Sequence, residues 1–296
     1  MASKNPIHYV TLQEIAYKNI HMNLKVIGTT AASIDSTLYI ERDQYPTYAV
    51  DRSKTKCKNY KTKIEVRRAD TLAVAIELTN VPNSDTVGVL NMANATRQGG
   101  GFLEGTTAQE EQLCYRTTLI NTLKIQYYPL PDAWPRNYPG RPKLDDGTPL
   151  ENEYSVVYSP AVAIYRDDQA SEYNVYNTSV RGTEIISVLS VAALNLSKYK
   201  TFDRKSVVYP NNECREIMTE KIKLLLRVAV RRKKTRLVLG ALGCGVFRNP
   251  PEEVAPIFRQ LLHDEEFKGY FEHIVFAILP NGEDTRNFDV FAKEFS

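Results

Sequence analysis

The 296-residue chain is poor in the residues that would staple a fold or hold a metal. Its four cysteines, Cys57, Cys114, Cys214 and Cys244, form no Cys-x-x-Cys pair, and its four histidines, His8, His21, His263 and His273, stand at no zinc-site spacing. Neither a disulfide framework, a metal site nor a cofactor is therefore expected, and the cysteines suit a reducing intracellular compartment, cytoplasmic or, in a eukaryote, nuclear. Nowhere do about 18 apolar residues run together, and Met1 to Val10 lacks the apolar stretch of a signal peptide, so no membrane partner is expected. Charge of one sign is also missing: 38 basic residues face 35 acidic ones, a net +3, too little to argue for nucleic acid on its own. Two local basic runs stand out, Lys54, Lys56, Lys58, Lys61 and Lys63 with Arg67-Arg68, and Arg231-Arg232-Lys233-Lys234. Each reads either as solvated surface, the second also as a helix end complementing its dipole, or as a contact for polymer phosphates. Repeats and low-complexity tracts are absent.

What is present is enough apolar residue, 43%, for one elaborated domain. Thr11 to Met22 carries Leu12, Ile15, Ala16 and Ile20 at near-helical spacing, and the polar turns up to Arg52 complete an N-terminal extension, residues 1–60. From about Lys63 short apolar strands alternate with amphipathic helices, which predicts an α/β class over 61–296. Strands are expected at Ile64 to Arg67, Thr86 to Asn91, Ser155 to Ser159, Ile185 to Ala193, Arg236 to Gly240 and His273 to Ile278. Helices are expected at Asp70 to Leu78, Ala108 to Leu123, Glu216 to Arg231, Glu252 to Leu262 and Arg286 to Phe295. Tyr128 to Leu150, bearing Pro and Gly, reads as a long surface excursion.

Two glycine clusters follow strands, at the carboxyl ends where open α/β sheets gather ligands. Gly99, Gly100 and Gly101 come after the strand that ends near Asn91, with Asn94 between; they read as a flexible loop or as backbone that a ligand must touch. The second is Gly240-Ala-Leu-Gly243-Cys244-Gly245-Val246-Phe247, before a helix that Asn249 would cap and Pro250 would open. No Lys-Ser/Thr follows Gly245 and Arg248 replaces a third glycine, which disfavours a nucleoside-triphosphate loop and a dinucleotide fingerprint. The amides of Leu242 to Phe247 remain as a nest for an anion such as a diphosphate. Glu252 and Glu253 would repel an anion at the helix terminus itself. Phe247 reads as core or as a face for a ribose.

Gln109-Glu110-Glu111 opens the next helix. Neighbouring helical positions differ by about 100 degrees, so the two carboxylates should point apart and do different work. Glu110 could close a capping box with Thr107 or meet a ligand, and Glu111 is an exposed first-turn glutamate or an active acid. Cys114 and Cys244, with no histidine near in sequence, read as buried rather than nucleophilic.

The string Asn91-x-x-Asn94, Gly99-Gly100-Gly101, Gln109-Glu110-Glu111 resembles the signature of poly(ADP-ribose) glycohydrolases of the bacterial and fungal, or microbial, type. The resemblance extends over Tyr158-Ser159-Pro160, Arg166-Asp167-Asp168 and Leu239 to Ala255, covering about residues 60 to 280. Arg97-Gln98 departs from the Asn-Pro or His-Pro that the family often has there. The resemblance implies a three-layer α/β/α macrodomain with a mixed central sheet. It also implies hydrolysis of the ribose-ribose O-glycosidic bonds of poly(ADP-ribose), releasing ADP-ribose, with ADP-ribosylated macromolecules as partners and nucleic acid only as a modified substrate. By the same resemblance Glu111 is the catalytic acid and base, Glu110 its partner at the ribose, and Asn94 a ribose contact. Gly99, Gly100, Gly101 and Gln109 with Gly243, Cys244, Gly245, Val246 and Phe247 form the two ligand loops. The acid must hold its proton when it acts, and Glu110 and a diphosphate would both favour that form of Glu111. Mono-ADP-ribosyl hydrolysis and non-catalytic ADP-ribose binding are the alternatives.

Overall fold

The computed structural model describes residues 6–41, 48–80, 87–130, 154–176, 183–198, 202–203, 205–280 and 282–296, with side chains from residue 11 onward. Most of the expected excursion, residues 131–150, and Thr86 lie outside them.

Periodicity and caps account for most elements. The N-terminal helix α1 is Pro6–Thr29, longer than expected at both ends. After the short strand β1, Thr37–Ile40, come β2, Lys63–Arg67, and α2, Thr71–Thr79, which Asp70 caps through Ala73 N. Then follow β3, Val87–Met92, α3, Gln109–Arg116, a single turn α4, Leu119–Thr122, β4, Ser155–Ile164, and β5, Glu184–Val191. The chain continues through α4's successor α5, Asn212–Arg231, capped by Asn211, then β6, Arg236–Leu239, α6, Pro251–His263, β7, His273–Ala277, and α7, Arg286–Glu294.

Three local expectations are corrected. The helix expected over Ala108 to Leu123 breaks at Thr117, which is extended at φ −137 and ψ 173. Thr117 bridges to Ile164 and Thr118 N bonds Ala163 O, so pairing with β4 outcompetes one helical step. β4 runs on past Ser159 because Pro160, lacking an N–H, falls at the register shift between Ser159 and Val162. The cap of α6 is Pro250 and its first residue Pro251, one position later than expected. The side chain of Asn249 instead donates to Leu194 O and Gly243 O, tying two loops.

The strands form one mixed sheet in the order β1-β4-β5-β3-β6-β7-β2. β5, β3, β6, β7 and β2 are mutually parallel; at one edge β4 pairs antiparallel with β5, and β1 pairs antiparallel with β4. Alternate residues feed opposite faces: Leu237, Leu239, Ile274 and Phe276 pack with α5, α6 and α7, while Val238, Val275, Val87 and Val89 pack with α1, α2 and α3. This is the expected three-layer arrangement. Among the described residues no helix is long and apolar enough to cross a membrane.

Candidate active site at the carboxyl ends of two adjacent strands

β3 and β6 lie side by side, Val89 paired with Val238, and both glycine loops leave their carboxyl ends. The sequence Val-Gly-Val-Leu-Asn-Met buries β3 on both faces, which makes its one strongly polar side chain, Asn91, conspicuous. Asn91 Nδ2 donates to Ser190 Oγ on β5 at 3.0 Å and to Glu110 Oε1 at 3.3 Å. The sequence signal for Asn91 is a lone amide in an otherwise apolar strand.

Gln109 stitches α3 onto the end of β3: its Nε2 donates to Leu90 O at 2.8 Å and its Oε1 accepts from Met92 N at 2.9 Å. Expected as a ligand contact, its carboxamide is thus engaged by the sheet backbone. Glu110 and Glu111 follow, 3% and 6% exposed. Glu110 Oε2 accepts from Asn94 N at 2.7 Å, and no capping bond with Thr107 forms; the cap position of α3 is Ala108. Glu111 Oε1 accepts from Gly101 N at 2.7 Å, whereas its Oε2 is buried with no partner.

The two carboxylates do not diverge. A Cβ placed on Gly100 would lie 2.5 Å from Glu111 Oε1 and 3.0 Å from Glu110 Oε2, so both reach one point of backbone. Two methylenes per side chain are enough to overcome the angular offset of adjacent helical positions. Gly100 has φ +57 and Gly99 φ +69, and a Cβ on Gly99 would meet Ile120 Cδ1 at 2.6 Å. The triple glycine is therefore required both for its turn and for the approach of the acids. Asn94 Oδ1 accepts from Thr96 N, Thr96 Oγ1 and Arg97 N in a local turn, leaving its Nδ2 as the group available to a ligand. Arg97 pairs with Glu104 across the loop at 2.6 Å.

Burial decides the electrostatics of the pair. It pushes Glu110 up to about 8, the Glu111 charge adding to that, against the bonds from Asn94 N and Asn91 that favour the carboxylate. At neutral pH the pair therefore retains a proton. Tyr128, beside Glu110, has a buried hydroxyl with no partner, and burial raises it as well. Asn91 Oδ1, Gln98 Oε1 and Thr106 Oγ1 are likewise unmet, so unsatisfied polar atoms gather around this loop.

Long-range contacts hold α3. Thr117 Oγ1 donates to Leu113 O, Asn19 Nδ2 from α1 donates to Cys114 O and Tyr115 O, and Arg166 N and Tyr165 N donate to Arg116 O. Every terminal carbonyl of α3 is therefore met. Asn19 Oδ1 accepts in turn from buried Arg166 Nε at 3.0 Å, and Arg116 Nη1 reaches Asp70 at 2.8 Å.

The second loop is looser. Gly243, at φ +76, comes close to Ala193 and Asn249, each 2.5 Å from a built Cβ. The amides of Leu242 and Cys244 are consumed by Gly240 O and Ala241 O, which narrows the expected nest. Among the described residues the amides of Gly243, Gly245, Val246 and Phe247 have no partner. Gly245 would face open space with a Cβ, Val246 is 70% exposed, and a cleft of about 390 Å³ lies against them, lined by Asp203 and Arg248 as well. Phe247 packs partly against the core, and its carbonyl accepts from Leu196 N. Cys244 is buried with its thiol raised by burial, as is Cys114, which fits neither as a nucleophile. Glu252 is held by Arg286 and Glu253 by Arg215, so the repulsion expected of them is offset by guanidinium charge. Among the described residues no three His, Cys, Asp or Glu side chains group as a metal site needs.

Residues 11–167 match the family described as microbial-type PARG, catalytic domain. Of solved structures, poly(ADP-ribose) glycohydrolase from Thermomonospora curvata is 27% identical, with TM-score 0.74 over 96% of this chain and 98% of that one. The same enzyme bound to the inhibitor ADP-HPD gives 27% identity and TM-score 0.66, over 95% and 98%. Poly(ADP-ribose) glycohydrolase from Deinococcus radiodurans in complex with ADP-ribose gives 28% and 0.67, over 88% and 93%. No curated protein gives a significant match. With more than half its length matched, and a triple glycine folded against paired glutamates, the chain belongs to the microbial-type poly(ADP-ribose) glycohydrolase catalytic-domain family.

Proposed function

We propose that the protein hydrolyses the ribose-ribose O-glycosidic bond of poly(ADP-ribose) and releases ADP-ribose, with Glu111 as general acid and then base. The observation that carries this reading is the division of labour within one carboxyl group: Glu111 Oε1 is fixed by Gly101 N while Oε2 is buried without a partner. A fixed carboxyl with one unmet oxygen can meet a leaving oxygen without reorganising. Cleavage requires a proton on that oxygen as positive charge develops at the anomeric carbon. Burial and the neighbouring charge raise Glu110 to about 8, so the pair enters the reaction at neutral pH with one proton shared between two carboxyls, and it is this proton that Glu111 passes to the leaving oxygen. Glu110 also holds Asn94 and Asn91 in place, and Asn94 Nδ2 would meet the ribose. After bond cleavage the Glu111 carboxylate takes a proton from the attacking water.

The substrate diphosphate would rest on the free amides of Gly243, Gly245, Val246 and Phe247. Relatives crystallised with ADP-ribose and with ADP-HPD support that class of ligand. The chain divides in this reading into an N-terminal extension, 1–60, packed on a catalytic unit, 61–296. The unpaired cysteines support a reducing, cytoplasmic setting. The test is to incubate the protein separately with poly(ADP-ribose), mono-ADP-ribosylated protein and mono-ADP-ribosylated DNA, and to measure free ADP-ribose. Release from the polymer is expected; release only from the mono-modified substrates would overturn the reading.

A further inference from the structure

The two basic runs, about 170 residues apart in sequence, meet at the end of the sheet away from the glycine loops. Between Arg52 and Lys63 stand six basic residues and no acidic one, and between Arg231 and Arg236 five more and again none. Since the whole chain is only +3, setting these eleven charges aside leaves the remainder at −8. Lys63, Arg236 and His273 open the adjacent parallel strands β2, β6 and β7. Their approaches are stitched together: Lys63 N bonds Glu272 O, Glu272 N bonds Thr235 O, and Tyr60 N bonds Gly269 O. Arg231 lies over the Tyr48 ring at 5.7 Å, two residues before Val50, whose N–H reaches Glu266.

Several of these cations have no carboxylate to answer them. Lys54 pairs with Asp51, Lys63 with Glu65 and Arg236 with Glu272. Nearby, Glu41 and Glu266 are taken by buried Arg227, and Glu265 by Lys268. Lys56, Lys58, Lys61, Arg231 and Lys233 are exposed and have no ion-pair partner among the described residues. A like-charged cluster left unpaired is costly to hold together and attracts a polyanion.

We propose that this end of the molecule is a distal contact for the polymer, gripping phosphates of ADP-ribose units several repeats from the bond being cut. The proposal rests on the glycohydrolase reading above. The choice of polymer follows from tethering: a chain anchored in the glycine loops presents its remaining phosphates to the basic end at high effective concentration, whereas nucleic acid would depend on the free cations alone. The distal units, not the unit in the site, feel the lysines, so the signature is a dependence of affinity on chain length.

The experiment compares labelled ADP-ribose dimer with a polymer of about twenty units by fluorescence anisotropy at low and moderate salt, in a Glu111→Gln background that prevents cleavage. Adding Lys56→Glu, Lys58→Glu and Lys61→Glu is expected to weaken the long polymer about tenfold or more and to flatten its log-log salt dependence by about two to three, leaving the dimer unchanged. A control triple change on other surfaces, Lys18→Glu, Lys25→Glu and Lys293→Glu, should leave the length dependence intact. Equal affinity for both lengths in the parent, equal losses for both in the variant, or an equal loss in the control would each overturn the proposal. So would labelled duplex DNA binding through these lysines while the long polymer does not. Hydrolysis by the wild-type enzyme is read separately: failure there counts against the reading of the active site, and length-independent binding counts against the distal contact.

Discussion

The two glycine loops leave neighbouring strands yet are built on opposite plans. Around Gly99, Gly100 and Gly101 the backbone is locked: Gly101 N and Asn94 N are spent on Glu111 and Glu110, and added methyl groups would collide with Ile120 or the acids. Around Gly245 and Val246 the chain is exposed, its amides unmet and its surroundings open. The difference follows from what each loop must do. In the proposed reaction the first would position the acid, where misplacement by about 1 Å costs about a hundredfold in rate. The second would receive the diphosphate, and free donors serve an anion better than satisfied ones.

Substitutions can break this contrast. Gly100→Ala should have the largest effect, because its Cβ meets Glu111 Oε1 at φ +57: turnover is expected to fall about a hundredfold or more, with a stability loss of about 1–3 kcal/mol. A steady-state rate near wild type would show that the carboxyls have room to spare. Next comes Asn19→Leu, which leaves Tyr115 O and Arg166 Nε unmet in a buried place. Denaturant titration should report a loss of about 2–4 kcal/mol. The folded enzyme, assayed well below its melting temperature, should show a lower kcat with KM little changed, since Asn19 holds the acid's helix and not the diphosphate loop.

Glu110→Gln sharpens the comparison through pH. A carboxyl lifted from 4.5 to about 8 binds its proton more tightly in the folded state, so wild-type stability is fullest below about 4.5 and declines as pH rises through about 8. Melting temperatures of wild type and variant across that range should show the wild-type decline lessened in the variant; parallel curves would place the titration elsewhere. Gly245→Ala is expected to change least. With nothing within 4 Å of the new methyl group, stability should stay within about 0.5 kcal/mol, and calorimetry should register the change only as weaker ADP-ribose binding. A large stability loss would mean that this loop is as tightly built as the first.

The locked loop was the more legible of the two in the sequence. Three successive glycines before a Gln-Glu-Glu helix start mark backbone that something must approach closely, which the structure shows to be the two glutamates themselves; the alternation of strands and helices points to the α/β class, and the family resemblance to the three layers. What stayed hidden depended on contacts across the chain. Asn19 and Arg166 lie 147 positions apart, and no periodicity in either segment shows that they jointly hold α3. The arginines that answer Glu252 and Glu253 come from α7 and α5, so the repulsion expected at the helix terminus is offset by residues distant in sequence. Thr117 falls inside the helix expected over Ala108 to Leu123, and only its bridge to the partner strand reveals why it extends. The capping-box pattern of Thr107 and Glu110 was real in spacing, but Asn94 N and Asn91 claim the carboxylate instead.

Turnover of poly(ADP-ribose) by Glu111→Gln, measured beside its affinity for ADP-ribose, tests the central claim most directly. The amide keeps an oxygen for Gly101 N but has no proton to deliver to a leaving oxygen. Binding is expected to remain within about threefold of wild type while hydrolysis falls by about a hundredfold to ten-thousandfold. Hydrolysis at a near wild-type rate would remove Glu111 from the chemistry.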